Sequence, residues 1–278
     1  MRLVTDTDRP AGLVPALLKQ WRAQHGLSQL DLALAADVSA RHVSFLETGR
    51  SLPSPEMVLR LGSVVGAPLR QVNMMLVAAG HDPVYDEAPD ALPEPVTEAI
   101  GLLKAHHEPY PLVVVDRTYD VVDVNAGAWA LFGALLDLGS SPVPGAEDLR
   151  ALGLNLARLT FDPEGAQPHL VNFDDVGRQL LWRIQGEVLA DPDDGALRAL
   201  LDDLLALPTI RDDWRAVDLT VPSEPALVLH LRRGELDLRF LTTVTAFQAP
   251  QNVAVEQLRI EQWFPYDDAT ATACRTLG

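Results

Sequence analysis

Up to Gly80 the apolar positions recur at intervals of three and four residues, the spacing of a single helix face. Leu13 or Val14, Leu17, Leu18 and Trp21 form the first such face, and Gly26 is a good stop for it. Ser28 predicts the cap of a second helix, with Asp31 three residues on in a capping-box position and Leu32, Ala33 and Ala36 on the inner side. That helix ends near Asp37. Ser39 caps a third over Ala40 to Glu47, which "TGRSLPSP" closes with Gly49, Pro53 and Pro55. Two more follow over Glu56 to Val65 and about Leu69 to Ala79, so residues 1–80 predict an all-α bundle of five short helices.

The pattern then breaks. "GHDPVYDEAPDALPEPV" combines Pro83, Pro89, Pro93 and Pro95 with several acids, and proline withholds amide donors and fixes φ. We place an extended acidic linker at residues 81–94. Beyond it the period changes. Pro95 to Lys104 reads as helix, whereas "PLVVVDRTYDVVDVN" is β-branched with a polar interruption at Asp116 to Thr118, which predicts a hairpin. Helices are expected at Ala126 to Leu138, Asp148 to Leu159, Asp174 to Leu189 and Ala196 to Leu205. Strands are expected at Ala226 to Arg232, Glu235 to Ala246 and Val253 to Phe264. Two strands, a group of helices and three strands predict an α+β domain over 95–278, with one antiparallel sheet packed against helices, an order like that of PAS-like folds.

Charge changes the picture for the first domain. The whole chain carries −17, which opposes attraction to nucleic acid. Residues 1–80, however, hold eight basic and six acidic groups and sum to +2, which leaves 14 basic and 33 acidic groups, or −19, to the remainder. The acidity resides beyond the linker. The one cysteine, Cys274, excludes a disulfide framework within the chain and suits a reducing cytosol. The opening residues lack the apolar run of a signal peptide, and no stretch approaches the roughly 20 apolar residues of a membrane span. These features predict a cytoplasmic protein without membrane association.

Candidate catalytic chemistry is sparse. "HHE" at His106 to Glu108 lacks the spacing of two histidines one turn apart and reads as a solvated helix end; His169 and His230 are isolated. No GxSxG elbow, phosphate-cradling glycine loop or GxGxxG is present, so no enzyme, metal or cofactor is expected.

The third helix carries more information. At 100° per residue Val43 and Leu46 define its inner side, which turns Arg41, Ser44 and Phe45 outward. An outward aromatic residue either meets a partner or packs on a neighbouring loop or a second copy. The surrounding stretch, "LSQLDLALAADVSARHVSFLETGRSLPSPEMVLRLGSVV", resembles the Xre-type (Cro/C1-like) helix-turn-helix of bacterial transcription regulators over about residues 12–79. Asp37 stands where that turn most often has Gly, and Asp tolerates the left-handed conformation better than most residues. The resemblance implies that Gln29 and Ser39 contact phosphates, that Ala40, Arg41, Ser44 and Phe45 face base edges, that His42 packs or contacts phosphate, and that Arg50 clamps backbone. It leaves Glu47 structural. A domain of only +2 is expected to bind one half-site weakly, so a homodimer on a pseudopalindromic double-stranded operator is expected.

The second domain is rich in large apolar side chains: Trp129, Phe132, Leu135 and Leu136 on one helix, Leu181, Trp182, Ile184 and Val188 on another, with Phe161, Phe173, Trp214 and Phe240 around them. Cores and apolar pockets use the same residues. "VVVDRTYDVVDVNAGAWALFG", "NLARLTFDP" and "VEQLRIEQWFPYDDAT" resemble the MmyB-like ligand-binding domain over about residues 95–270. The order Trp182-Arg183 after the leucines departs from the family's usual Trp ahead of an "LR" pair. The resemblance implies a PAS-like sheet and a cavity for a small apolar effector of fatty-acid type. The candidates for its lining are Trp129, Phe132, Leu136, Phe161, Phe173, Trp182 and Phe240. Two functions therefore stand open: a regulator whose second domain senses such an effector, and one whose second domain only dimerises or docks a partner.

Overall fold

A computed structural model describes residues 12–86, 92–136, 138, 142–192, 194–215, 227–247 and 252–277. In chain order the helices of the first part are α1 (Leu13–Gln24), α2 (Gln29–Ala35), α3 (Ala40–Glu47), α4 (Pro55–Val64) and α5 (Leu69–Ala78). Then come α6 (Glu94–His107), β1 (Leu112–Val115), β2 (Val121–Val124), α7 (Ala126–Leu136), α8 (Ala146–Leu152), α9 (Leu156–Phe161), α10 (Phe173–Ala190) and α11 (Gly195–Leu205). The chain closes with β3 (Leu227–Arg233), β4 (Leu236–Thr245), α12 (Val253–Glu256), β5 (Arg259–Pro265) and α13 (Asp268–Leu277). It divides into two compact units, Met1–Ala91 with Ala249–Glu256, and Leu92–Gln248 with Gln257–Gly278. The proline-rich stretch falls partly on residues 87–91, outside the described residues. No helix among the described residues is long and apolar enough to cross a membrane.

The first unit is the five-helix bundle. Leu17, Leu18, Trp21, Leu32, Val43, Leu46, Leu61 and Leu76 are its buried centre, and the Trp21 indole donates to Gln71 Oε1 at 2.7 Å. The starts of α2, α3 and α4 are capped by Ser28, Ser39 and Ser54, whose hydroxyls accept from the amides of Asp31, His42 and Met57. α5 follows Pro68, which stands at its N-cap position and offers no side-chain cap. Its Leu69 amide donates instead to the Glu256 carboxylate, at 3.0 and 3.2 Å to the two oxygens, from the short helix α12. Val253 of that helix donates its amide to Asp86 O at 2.9 Å.

The second unit is α+β: an antiparallel sheet of order β2-β1-β5-β4-β3 with helices against it. β1 is buried on both faces, which is why its sequence is unbroken valine and leucine. Val113 and Val115 pack in the core that includes α7 and α13, and Leu112 and Val114 pack with Ile100 of α6 on the other side. A second, helical core joins α9, α10 and α11 around Phe161, Leu181, Ile184, Leu200 and Trp214. Gly127 is required at the start of α7, because a Cβ there would lie 2.3 Å from Pro109 O.

Three expectations from the sequence are corrected. The helix expected over Asp148 to Leu159 is two, because Gly153 turns left-handed at φ +61° and Asn155 caps a new start by accepting from Arg158 N. The strand expected over Val253 to Phe264 begins only at Arg259. Asn252 Oδ1 accepts from the amides of Ala254 and Val255, which winds the valines into α12 before the strand begins. His107 is no solvated helix end: it is buried, with Phe264 edge-on at 4.9 Å and Trp263 O 3.2 Å from Nε2. Glu108 accepts from the Ala126 and Gly127 amides and so caps α7.

Candidate nucleic-acid interface and apolar cavity

The α2-turn-α3 segment is held from beneath. Asp37 takes the left-handed conformation at φ +53°, which makes the tight turn between the two helices. Glu47, buried at the end of α3, receives Arg22 Nε at 2.6 Å, Arg22 Nη2 at 3.1 Å and Gln29 Nε2 at 2.7 Å. Burial pushes the Glu47 carboxyl up, but the hydrogen bonds and charge of Arg22, with the bond from Gln29, outweigh it and hold the group below the ordinary carboxylate range. Arg22 also donates to Leu27 O at 2.8 Å, so a single guanidinium ties α1 to the loop before α2 and to the end of α3.

With Val43, Leu46 and Glu47 inward, the opposite side of α3 carries Arg41 exposed, and Ala40, His42, Ser44 and Phe45 half-buried. The helix ends in a left-handed Gly49, φ +70°, after which the Arg50 amide donates back to Phe45 O at 2.9 Å. This turn sets the Arg50 guanidinium 5.7 Å from the Phe45 ring centre, while Arg41 lies 5.1 Å from it. Phe45 is therefore half-buried beneath two cations. Among the described residues neither guanidinium pairs with a carboxylate. Ser39 is exposed with its hydroxyl on the His42 amide, and Gln29 spends its amide N–H on Glu47.

In the second unit a cavity of about 760 Å³ of atom-free space, its mouth counted in, opens between sheet and helices. Leu227, Leu229 and Leu231 project into it from β3 at the two-residue period of one sheet face. Phe132, Leu135 and Leu136 come from α7, Leu156 and Leu159 from α9, and Val176 and Leu180 from α10.

One wall is polar, with Tyr119, Arg183, Glu261 and Trp263 among its residues. Arg183 Nε donates to the Tyr119 hydroxyl at 3.1 Å, and Arg183 Nη2 to Glu261 Oε1 at 3.2 Å. The Tyr119 hydroxyl donates to Glu187 at 3.2 Å, and Arg259 Nη1 reaches the same carboxylate at 3.1 Å. Both guanidiniums lie 5.3 Å from the Tyr119 ring centre. Tyr119 is fully buried, so desolvation pushes its phenol well above the ordinary range and it stays neutral. The Trp263 Nε1 is buried without a hydrogen-bond partner among the described residues. Among the described residues no group of three His, Cys, Asp or Glu could hold a metal ion.

Residues 96–277, well over half of the chain, match the model of the MmyB-like transcription regulator ligand binding domain. The chain belongs to the MmyB-like regulator family. Residues 18–72 match a helix-turn-helix family model, so the protein is a DNA-binding transcription regulator with a ligand-binding-type domain. Among solved structures the clp gene regulator ClgR from C. glutamicum is similar at 31% identity over 25% of this chain and 87% of its own, with a TM-score of 0.22. Among curated proteins none matches.

Within this MmyB-like domain only Phe132 and Leu136 of the lining expected from sequence face the cavity. Trp129 and Phe240 belong to the packed core against the sheet, where Phe240 leans on Trp263 at 5.8 Å. Phe161 and Phe173 are edge-on to one another at 6.1 Å in the helical core, and Phe173 also meets Trp214. Trp182 is turned from the lining face of α10, which carries Val176, Leu180 and Arg183, and lies under the Arg178 guanidinium at 5.7 Å. Half of the lining residues are leucine. The wall's signal in the sequence was the alternation Leu227, Leu229, Leu231 and the spacing Val176, Leu180, Arg183, which selection by side-chain size passed over.

Proposed function

We propose that this regulator reads a pseudopalindromic operator as a homodimer through α3 and that an apolar effector of fatty-acyl type, held in the second unit, adjusts its affinity. The observation that carries the first half is the Arg41–Phe45–Arg50 group, two cations without a carboxylate partner among the described residues, on the outer face of a helix whose opposite face is core. Arg41 would pair with guanine O6 and N7, with Ala40, Ser44 and Phe45 beside it on neighbouring base edges. Ser39, His42 and Arg50 would meet the phosphate backbone, as would Gln29 once its bond to Glu47 is shared with a phosphate.

The observation that supports the second half is the cavity between sheet and helices, lined by leucines from β3, α7, α9 and α10 with a few polar groups at one wall, the make-up of a small-molecule site. A covalent route joins the two functions. The connection from β4 to β5 carries α12, whose Glu256 caps α5 in the DNA-binding unit, so a change in those strands has a path to it. An effector shifts the regulator only by binding one arrangement better than another. Native mass spectrometry of the purified full-length protein tests this reading. A co-purifying apolar molecule released on denaturation supports it, and a protein that takes up no apolar probe at all leaves the second unit as a dimerisation or docking module.

A further inference from the structure

Two arginines flank the Phe45 ring on the outer side of α3. The Arg41 Cζ, from one turn earlier in the helix, lies 5.1 Å from the ring centre, and the Arg50 Cζ, from beyond the left-handed Gly49, lies 5.7 Å from it. A guanidinium drawn to the face of an aromatic ring keeps its N–H donors, which lie in its own plane. Neither Arg41 nor Arg50 gives one of those donors to an acceptor among the described residues.

Arg22 is fixed in the opposite way. The Glu47 carboxylate takes its Nε and Nη2 donors and cancels its charge. Residues 1–80 sum to only +2, so the same solution at Arg41 and Arg50 would remove attraction to phosphate that this unit has little of. A ring holds a cation without neutralising it. Ordering a long side chain in advance also lowers the rotamer entropy lost when it meets its target. Phe45 is itself anchored, because the Arg50 and Ser51 amides both donate to its carbonyl oxygen, at 2.9 and 3.4 Å.

We infer that Phe45 is a positioning residue for DNA binding: its ring holds Arg41 ready for a base edge and Arg50 ready for the backbone, with both charges and their donors kept for the DNA. Its weight in affinity lies in the two arginines rather than in a contact of its own with a thymine methyl. This rests on the reading of α3 as the DNA-facing helix, within which Phe45 stands beside the base edges.

The test uses the full-length protein and a duplex that the wild type selects from a random double-stranded pool, with affinity read by gel shift at one low salt concentration. Phe45→Leu keeps an apolar side chain and removes the ring face. It should weaken binding about five- to tenfold, and Phe45→Tyr should bind as wild type does. With Arg41→Ala and Arg50→Ala already in place, the same Phe45→Leu change should cost less than about twofold. Phenylalanine fluorinated progressively around the ring at position 45 keeps its shape while electron density is drawn from its face. Affinity should then fall stepwise with added fluorine, which keeps the proposal testable should Phe45→Leu not fold. Binding unchanged by Phe45→Leu, a loss that persists undiminished without the two arginines, or affinity indifferent to fluorination overturns the proposal and leaves α3 as the reading helix. An Arg41→Ala protein that binds the duplex as tightly as wild type removes the α3 reading and this proposal with it.

Discussion

Arg41 is available to act outside the fold because its contact among the described residues is with Phe45 on the same outer face, while Val43, Leu46 and Glu47 secure α3 from the other side. Arg41→Ala is therefore expected to leave the melting temperature unchanged and to cost roughly 1 to 3 kcal/mol of specific operator binding, measured by gel shift against a matched non-specific duplex. Glu47 is the reverse case. Its carboxyl is held below the ordinary range, so its contribution is complete above the pKa of the unfolded chain and is lost as pH falls through the lower folded value. Glu47→Gln should lower stability at pH 7 by roughly 2 kcal/mol and flatten the acid side of the curve, which urea melts at pH 7 and pH 3 would register. The roles of Val43, Leu46 and Ser39 were legible from spacing alone. The position of Phe45 was not, because its cover comes from Arg50, which reaches it only through the left-handed turn at Gly49.

At the scale of elements, helices whose caps and apolar faces agree were readable, and those that depend on a single left-handed glycine or a side-chain cap were not. α2 and α3 have both signals, and their bounds are those expected. The α8 and α9 pair carries a continuous apolar face across Gly153, so periodicity joined what the backbone separates. α12 is Val-Ala-Val-Glu, whose valines local propensity assigns to strand, yet Asn252 supplies the first amides with an acceptor and winds the turn. Long-range closeness leaves no local pattern at all. Gly127 illustrates it: the reason for glycine is the Pro109 carbonyl on a preceding loop, 2.3 Å from where a Cβ would stand. Gly127→Ala should destabilise the protein by roughly 1 to 3 kcal/mol, read as a lowered thermal transition of the full chain with the far-ultraviolet signature of the native state retained.

At the scale of the whole molecule the sequence divides charge and chemistry between its two parts. Residues 1–80 sum to +2 and hold the helix-turn-helix, while the remaining −19 accompanies a sheet-and-helix unit with an apolar chamber. The existence of that chamber was legible only through family resemblance, since a leucine in a wall and a leucine in a core look alike in sequence. Its lining was hidden for the same reason, and of the aromatic residues expected there Phe132 lines it while Trp129, Phe161, Phe173 and Phe240 build the packed layers around it. The most direct measurement of the account is operator affinity of the full-length protein at fixed salt, with and without a saturating apolar ligand. The account predicts a change of about 5- to 150-fold, the usual span of coupling between two sites, together with loss of specific binding in Arg41→Ala under both conditions. An operator affinity that is the same with the ligand bound and absent would contradict it.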